Sequence, residues 1–465
     1  MTLIKSISGI RGTIGGKPDT ALTPLDVVKF ASAYGTWILR NNPHQNRKII
    51  VIGRDARISG SMISNIVSST LIGLGIDVID LELSTTPTVE MAVTDFNAQG
   101  GIILTASHNP KQWNALKLLN QKGEFISEAV GAEILKLAQQ DDFNYAETDF
   151  LGTYSTNKDA LKNHIQKILA LPYVDVSAIA NADFNIVIDA INSSGGFAVP
   201  ELLNALGVKR MKVIHGEPTG NFAHNPEPLP EHLIDLSAAV VNEKAHLGIS
   251  VDPDVDRLAF VCEDGKMFGE EYTLVAVADY VLKCKNGGNT VSNLSSTRAL
   301  RDVTEHVGGN YSASAVGEVN VVNMMKSTNA VVGGEGNGGI ILPELHYGRD
   351  ALVGIAIFLT HLAKFGKPIS TLRNSYPNYY ISKNKIELTP QINVDEVLLK
   401  IQEIYKQQPI NTVDGVKIEF GKEWVHLRKS NTEPIIRIYS ESETKSSADG
   451  LAEKIIKNIR DIIRT

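Results

Sequence analysis

Cysteine is nearly absent from this sequence, and so is any long run of apolar residues. Among 465 residues only Cys262 and Cys284 are cysteines, which are too few for a disulfide scaffold. No apolar segment reaches the length of a membrane span, and residues 1–6 lack the features of a signal peptide. We therefore expect a globular protein of the reducing cytoplasm with no membrane partner.

Basic residues do not outnumber acidic ones. The chain has 45 Lys and Arg against 52 Asp and Glu, a formal net charge of −7. Nucleic-acid-binding surfaces are normally basic, so this balance argues against a nucleic-acid partner. It leaves room for a local basic pocket that binds a small phosphorylated molecule. The length exceeds what one hydrophobic core supports and predicts three or four domains.

A pattern of strand, turn, helix and second strand recurs along the chain. Its copies begin at residues 49–52, 185–188 and 290–293, and each has a turn rich in glycine or serine. The pattern predicts three related α/β domains with parallel strands. The alternative is that unrelated βαβ units share this much of their pattern. Thr23 and Pro24 predict a helix start, as N-cap and first helical residue.

One predicted strand opens into a polar loop. Residues 100–104 are apolar and run into Thr105-Ala106-Ser107-His108-Asn109-Pro110. Ligand sites of parallel α/β sheets lie beyond the carboxyl ends of the strands, so Ser107 is a candidate nucleophile. The alternative is a strand end with a simple Asn-Pro turn. Residues 8–16, which include Arg11, are rich in glycine and predict a loop that either approaches an anion or is a flexible turn.

Three aspartates alternate in a tight loop between two predicted strands. The carboxylates of Asp252, Asp254 and Asp256 can converge on a hard cation such as Mg²⁺ or Ca²⁺. An EF-hand is excluded because the flanks are strands, and because Arg257 occupies the sixth position, where that loop requires glycine. A solvated acidic turn is disfavoured, since uncompensated carboxylates repel one another.

Two later segments carry candidate binding residues. In the glycine-rich residues 332–339, Glu335 and Asn337 can hydrogen-bond to sugar hydroxyls, and a flexible hinge is the alternative. Residues 347–350 predict a helix start at the same pocket. The last segment and its following strand offer guanidinium, hydroxyl and amide donors that suit a phosphate group, with a surface turn as the alternative. These donors are Arg428, Ser430, Asn431, Thr432 and Arg437.

Taken together, these segments resemble the loops of the α-D-phosphohexomutase superfamily, in the family's order and over essentially the whole chain. The Ser107 loop matches the family's phosphoserine loop letter for letter. The aspartate loop has Pro253 and Val255 where many members have glycine. The sugar loop is altered, because a common pattern has serine where Asn337 stands and a bulkier residue, often His, where Gly339 stands.

The resemblance implies an α/β fold with four domains around a central cleft. Three would be related mixed-sheet α/β domains, and the C-terminal one would be α+β. The expected domains are residues 1–152, 153–251, 252–367 and 368–465, which contribute the phosphoserine, metal, sugar and phosphate loops respectively.

The resemblance also implies roles for individual residues. It places an Mg²⁺ site on a phosphorylated serine and the aspartates, namely Ser107, Asp252, Asp254 and Asp256. Lys117 falls at the position of the general base, and a buried lysine beside a cation can have its pKa lowered enough for that role. Arg11 and His108 would line the catalytic centre, and Arg257 would position substrate.

The implied reaction transfers a phosphoryl group between Ser107 and a sugar phosphate. A hexose bisphosphate is the intermediate and activator, and it must turn around before its other phosphate returns to the serine. The Glu335/Asn337 loop resembles versions in phosphoglucosamine mutase-like proteins, so the expected substrates are glucosamine 6-phosphate and glucosamine 1-phosphate. Mannose or glucose phosphates are the alternative. We expect a monomer or homodimer; a phosphatase-like or kinase-like enzyme and a non-catalytic sugar-phosphate sensor are the rival classes.

Overall fold

The protein is described here from a computed structural model covering residues 2–6, 9–45, 47–389, 392–429 and 435–464. This described chain forms two compact units. The first unit comprises residues 1–273 and 337–372, and the second comprises residues 274–336 and 373–465. Within the described ranges, no helix has both the length and the hydropathy needed to cross a membrane.

The N-terminal part of the first unit is a mixed sheet with helices on both faces. Its strands are β1 (Ile4–Ser6), β2 (Gly9–Thr13), β3 (Ile49–Arg54), β4 (Asp77–Leu83), β5 (Gly100–Leu104), β6 (Trp113–Leu119) and β7 (Tyr154–Thr156). Its helices are α1 (Pro24–Asn41), α2 (Gly60–Gly73), α3 (Thr86–Asp95), α4 (Glu128–Gln140) and α5 (Ala160–Leu169). The strand order is β1-β2-β6-β5-β3-β4-β7, and β3 is parallel to β4 and β5.

Local sequence signals explain part of this sheet and fail in one place. The predicted helix start is confirmed: Thr23 and Asp26 form a capping box, and Pro24 is the first residue of α1. The prediction of a glycine-rich loop around Arg11 is wrong, because residues 9–13 form β2. That strand is paired with β1 and β6, and such pairing outweighs the low strand propensity of glycine.

A second mixed sheet follows in the same unit. Its strands are β8 (Asn185–Asp189), β9 (Arg210–Ile214), β10 (Leu247–Val251) and β11 (Leu258–Cys262), in the order β11-β10-β8-β9. The accompanying helices are α6 (Val176–Asn181), α7 (Gly195–Ala205) and α8 (Ile234–Asn242), and α9 (Glu270–Lys285) comes next in the chain. β8 is parallel to β9 and β10, whereas β11 is antiparallel to β10.

The third copy of the pattern lies in the second unit. Its elements are β12 (Asn289–Asn293), α10 (Ala299–His306), β13 (Tyr311–Ser314), α11 (Glu318–Thr328) and β14 (Ala330–Glu335). β12 is parallel to β13 and β14. Further along the chain come β15 (Gly339–Ile341), α12 (Ala351–Phe365) and α13 (Ile369–Asn374).

The copies share one arrangement, as the sequence repeat predicts. In each, a central strand (β3, β8 or β12) lies parallel to the next strand of its copy (β4, β9 or β13). On its other side it lies parallel to the strand that leads into a candidate loop (β5, β10 or β14). The predicted phosphoserine, metal and sugar loops therefore follow corresponding strands, at the sheet edge where α/β folds hold ligands.

The C-terminal domain is separate and rich in sheet. Its elements are β16 (Tyr380–Glu387), α14 (Val394–Ile404), β17 (Ile410–Asn411), β18 (Val416–Phe420), β19 (Glu423–Lys429), β20 (Ile435–Ser442) and α15 (Lys445–Arg464). The strands pair antiparallel in the order β16-β20-β19-β18-β17, and residues of α14 and α15 share an apolar core with them. The predicted α/β fold class with a distinct C-terminal domain is confirmed, while the exact domain boundaries stay predictions.

A buried network of acids and histidines joins helices of the first unit. His164 on α5 contacts the Asp350 carboxylate at 2.9 Å, and His346 contacts the same oxygen at 3.3 Å. The other ring nitrogen of His346 lies 3.3 Å from Glu90 on α3. Burial opposes a charged imidazole, but Asp350 and Glu90 outweigh it and raise the pKa of His346 to about 10.

This raised pKa predicts a stability contribution that depends on pH. A group whose pKa rises on folding stabilises fully below its unfolded pKa, and the contribution is lost as pH rises through the folded value. We expect His346→Gln to lower the thermal unfolding midpoint most at about pH 6 and progressively less towards about pH 10. Paired thermal melts of both proteins across this range test it, and a gap that does not change with pH would contradict the charged imidazole.

Candidate active site

A buried ion pair supports the loop that carries Ser107. Arg57 Nε donates to Asp55 Oδ2 at 3.0 Å, and both side chains are fully buried. Thr105 Oγ1 donates to the same carboxylate at 2.7 Å and accepts from the backbone N–H of Ser107 at 2.9 Å. These contacts hold Ser107 at φ +48°, in the left-handed region that residues other than glycine seldom adopt.

Arg57 also organises the rest of this loop. Its guanidinium donates to backbone carbonyls of Ser107, Asn109, Pro110 and Trp113. Arg57 is not among the residues predicted from the sequence. The only local indication is that Arg57 is a charged residue close after a buried strand. The backbone carbonyls that accept its hydrogen bonds lie about fifty positions away in the chain.

The Ser107 hydroxyl meets the aspartate loop directly. Ser107 Oγ donates to Asp252 Oδ2 at 2.6 Å. Asp252, Asp254 and Asp256 are fully buried, and each offers a carboxylate oxygen within 4.8 Å of the others. Asp252 Oδ1 accepts from the backbone N–H groups of Asp256 and Arg257, at 3.1 Å each. The predicted metal ligands are therefore brought together with the predicted nucleophile.

Unsatisfied oxygens in this cluster fit a hard divalent cation. Asp254 Oδ1 and Asp256 Oδ1 are buried and accept no hydrogen bond from the described part of the chain. Buried acceptors normally have partners, and carboxylate and hydroxyl oxygens are the ligands that Mg²⁺ takes. Two further clusters of possible metal ligands contain histidines, and their carboxylates already form contacts with imidazoles. Asp350 contacts His164 and His346, and Asp189 contacts His215 and His224.

Lys117 compensates part of the buried negative charge. It lies on β6, and its Nζ is 2.8 Å from Asp254 Oδ2 and 3.5 Å from Asp256 Oδ2. Burial disfavours the ammonium, but these aspartates raise the pKa of Lys117 above its usual value. The expected lowering of this pKa is therefore not found while the carboxylates face it. Conversely, burial and its aspartate neighbours raise the pKa of Asp252.

The backbone of the aspartate loop is fixed from several sides. Three of its backbone carbonyls accept hydrogen bonds. Ser193 Oγ donates to the carbonyl of Pro253 (2.7 Å), the N–H of Thr86 to that of Asp254 (2.8 Å), and the N–H of Ala351 to that of Val255 (3.2 Å). Thr86 also donates its hydroxyl to Asp254 Oδ2 at 2.6 Å, a contact that the sequence did not predict. Val255 has φ +63°, which is strained for a β-branched residue and would be free of strain for glycine.

The remaining predicted residues of this centre differ in their surroundings. Arg11 is half-buried on β2, and burial lowers its pKa. Burial, together with the charge of Arg257, lowers the pKa of His108 to about 2, so this imidazole is neutral near pH 7. Arg257 is nearly buried, and its guanidinium lies 3.4 Å from Glu227.

The two side chains of the predicted sugar loop belong to different units. Glu335 ends β14 in the second unit, where Oε1 accepts from Asn293 Nδ2 at 2.9 Å and from the N–H of Gly317 at 3.1 Å. Asn337 belongs to the first unit, where its Oδ1 accepts from the N–H of Gly339 at 3.2 Å. Each side chain is thus oriented by its own unit.

The predicted phosphate loop lies between two paired strands. Arg428 on β19 and Arg437 on β20 are register partners, so their side chains share one face of the sheet. Arg428 Nε forms an ion pair with Asp414 at 2.7 Å, and Arg437 is exposed. Ser430, Asn431 and Thr432 lie outside the described residues.

Models of known protein families match nearly the whole chain. Models described as "Phosphoglucomutase/phosphomannomutase, alpha/beta/alpha domain" I, II and III match residues 3–145, 162–265 and 269–380. The C-terminal domain of the same family matches residues 390–458.

Individual relatives span the full length but carry different names. A "Phosphoglucomutase/phosphomannomutase" from Thermococcus kodakarensis is 34% identical, covering 97% of this chain and 99% of its own. A "Phosphoglucosamine/phosphogalactosamine mutase" from Sulfurisphaera tokodaii is 32% identical, covering 97% of each chain. A solved phosphoglucomutase/phosphomannomutase family protein from Burkholderia thailandensis has the same fold, with a TM-score of 0.85 at 23% identity over 98% of both chains.

The role of Arg57 gives a prediction for stability and loop geometry. Arg57→Leu leaves the buried Asp55 carboxylate without its cationic partner and several loop carbonyls without their guanidinium donor. Breaking a buried ion pair costs on the order of 3–5 kcal/mol. We expect a lower thermal unfolding midpoint and loss of any Ser107-dependent activity. Arg47→Ala, which removes an exposed ion pair with Asp77, is the matched control and should leave both unchanged. An unaltered melt for Arg57→Leu would refute the anchoring role.

Proposed function

We propose a specific reaction for this chain. The chain belongs to the α-D-phosphohexomutase superfamily and is a mutase, and the proposal starts from that membership. The proposed reaction interconverts glucosamine 6-phosphate and glucosamine 1-phosphate through a phosphorylated Ser107 and a bisphosphorylated sugar. The observation that carries this proposal is the Ser107 hydroxyl, placed 2.6 Å from Asp252 beside unsatisfied aspartate oxygens. A pure sugar-phosphate sensor has no need of such a nucleophile.

The first half-reaction moves a phosphoryl group from Ser107 to the sugar. The bond between Ser107 Oγ and phosphorus breaks as the sugar hydroxyl oxygen bonds to the same phosphorus, and the hydroxyl proton goes to Lys117. A phosphoserine carries close to two negative charges, so an approaching hydroxyl oxygen needs nearby positive charge. Arg11 and Arg257 are assigned to that role, together with the neutral ring of His108 as a hydrogen-bonding group.

Asp252, Asp254, Asp256 and Ser107 would hold Mg²⁺. When bound, this ion would supply charge neutralisation at the phosphoryl oxygens. The buried carboxylates and their backbone hydrogen bonds keep the ligand oxygens in place before substrate arrives. The Thr86 hydroxyl and Lys117 both use Oδ2 of Asp254, which leaves its Oδ1 for the cation.

Lys117 serves as the proton carrier in both directions. It holds its proton while Asp254 and Asp256 face it, and in that form it can return the proton to a sugar oxygen when the phosphoryl group goes back to Ser107. Acceptance of the hydroxyl proton in the forward direction requires the neutral amine. Any group that draws negative charge away from the two aspartates lowers the lysine pKa towards that state.

The rest of the substrate is assigned to the later loops. Glu335 and Asn337 bind sugar hydroxyls, and the distal phosphate is bound by Arg428, Ser430, Asn431, Thr432 and Arg437. Both ends of the sugar must use the same groups in turn, since the bisphosphate reverses its orientation between the half-reactions. If the bisphosphate leaves before its phosphoryl group returns to Ser107, the serine stays unphosphorylated. Added hexose bisphosphate would phosphorylate it again and so activate the enzyme.

The choice of amino sugar rests on the relatives. Relatives named "Probable phosphoglucosamine mutase", from Methanopyrus kandleri, Pyrococcus horikoshii and Thermococcus gammatolerans, are 28–32% identical over nearly the full chain. The relative at 34% identity carries the broader phosphoglucomutase/phosphomannomutase name, which supports mannose and glucose phosphates as the second candidate. Cytoplasmic location and a monomeric or homodimeric state stay predictions.

Loss of the Ser107 hydroxyl should abolish turnover. Ser107→Ala removes the phosphoryl acceptor without disturbing the backbone contacts of the loop, so sugar phosphate should still bind. Intact-mass measurement should find phosphate on the wild-type chain after incubation with hexose bisphosphate, and none on the variant. Wild-type turnover in Ser107→Ala would refute the proposed mechanism, and rapid release of inorganic phosphate would favour a phosphatase.

Substrate preference is tested by comparing three sugars in parallel. We expect kcat/KM for glucosamine 1-phosphate to exceed the values for mannose 1-phosphate and glucose 1-phosphate by at least about tenfold, which corresponds to about 1.4 kcal/mol of transition-state binding. A preference for mannose or glucose phosphate would reject the amino-sugar assignment and keep the mutase mechanism.

A further inference from the structure

Gly339 lies against the side chain of Arg349, and any side chain at position 339 would require Arg349 to move. A Cβ built on Gly339 would lie 2.4 Å from Arg349 Cδ and 3.0 Å from Cγ. Two non-bonded carbon atoms do not approach this closely, so the arginine side chain would have to move. The stem of Arg349 therefore fills the volume that a side chain at position 339 would need.

The guanidinium of Arg349 reaches the aspartate loop. Its side chain is only 10% exposed, and Nη2 donates to Asp256 Oδ2 at 2.7 Å. Lys117 Nζ approaches the same oxygen at 3.5 Å, so both cations face Oδ2. The other oxygen of Asp256, Oδ1, is buried and receives no hydrogen bond within the described ranges. The two oxygens of one carboxylate are thus separated into different roles.

The residues next to Arg349 are firmly held. Asp350 caps α12 by accepting from the N–H groups of Leu352 and Val353, at 2.8 and 3.2 Å. Its other oxygen meets His164 and His346. The N–H of Ala351 donates to the carbonyl of Val255 in the aspartate loop at 3.2 Å. The backbone that carries Arg349 is therefore attached to the loop that its side chain contacts.

We propose that Arg349 is a positioning residue of the cation site, and that glycine is required at 339 to admit it. By holding Oδ2 of Asp256, Arg349 fixes the rotation of the carboxylate so that Oδ1 remains available to the divalent cation. Groups that hydrogen-bond to metal ligands typically contribute 10–100-fold to metal affinity. The inference rests on the proposed function in one respect, which is that this aspartate cluster binds Mg²⁺.

The direction of the change in Mg²⁺ affinity distinguishes two possible roles of Arg349. If Arg349 only adds positive charge beside the cluster, its removal should tighten Mg²⁺ binding. If it orients Asp256, its removal should weaken binding, because the carboxylate is then free to rotate towards Lys117.

The experiment is a double-mutant cycle read by calorimetric titration of Mg²⁺ into the full-length protein. We expect Arg349→Ala to weaken Mg²⁺ binding by about tenfold or more. Gly339→Ala should produce a similar loss, because its Cβ displaces the arginine stem without removing any charge. The double variant should bind Mg²⁺ no less tightly than the single variant with the lower affinity, because both changes remove the same contact.

Two further variants separate orientation from general damage. Arg349→Lys keeps the charge but lacks the planar fork, and we expect affinity between those of wild type and Arg349→Ala. Arg301→Ala removes a half-buried arginine that pairs with Glu419 in the second unit, and it should bind Mg²⁺ like wild type. If Arg349→Ala does not fold, Gly339→Ala still displaces the arginine and carries the test.

The outcomes distinguish this inference from the proposed function. Wild-type protein that binds no Mg²⁺ would overturn the proposed function and this inference with it. Wild-type protein that binds Mg²⁺ but whose turnover does not depend on Ser107 would overturn only the proposed function. Wild-type protein that binds Mg²⁺ and whose turnover depends on Ser107, together with unchanged or tighter Mg²⁺ binding in Arg349→Ala, would overturn only the role of Arg349. Fully additive losses in the double variant would likewise show that Gly339 and Arg349 act separately.

Discussion

The burial of three carboxylates in one short loop is the constraint on which the first unit depends. Asp252, Asp254 and Asp256 have no contact with solvent, and like charges at such distances are strongly unfavourable without compensation. Lys117 and Arg349 supply positive charge, while hydroxyl and backbone donors satisfy selected oxygens. Asp254 Oδ1 and Asp256 Oδ1 are left without a hydrogen bond from the described residues, so the cluster could hold a divalent cation. The same arrangement thus costs stability and provides the oxygen ligands that the proposed function requires.

Strained backbone occurs at the two loops that meet in this cluster. Ser107 and Val255 both have positive φ, at +48° and +63°. Such conformations persist only where the surrounding contacts determine them, and here those contacts are known. Arg57 and Thr105 hold the first loop, whereas hydrogen bonds from separate elements hold the carbonyls of the second. Rigid loops of this kind place reacting groups before substrate binds, which lowers the cost of reaching the transition state.

The repeated strand arrangement explains why the sequence indicates where three of the predicted loops begin. The loops after β5, β10 and β14 each follow a short, largely buried strand, and strands of that kind are encoded locally by apolar residues and turn signals. The helix start at Thr23 was likewise readable from its capping residues. The expected loop around Arg11 failed because pairing with β1 and β6 decided its conformation, and a partner strand about a hundred residues away leaves no local trace. Residues 430–432, also read from local sequence, lie outside the described ranges.

By itself, the sequence determined the fold class, the order of the loops and the chemical character of Ser107 and the aspartates, because these depend on residue type and short-range pattern. Only the tertiary structure decided which carboxylate oxygens accept hydrogen bonds and which do not. Arg57, Thr86 and Arg349 act across separations of about 50 to 170 positions, where spacing carries no information. The same holds for the direction of the Lys117 pKa, since burial and two facing carboxylates have opposite effects and only their geometry determines the balance.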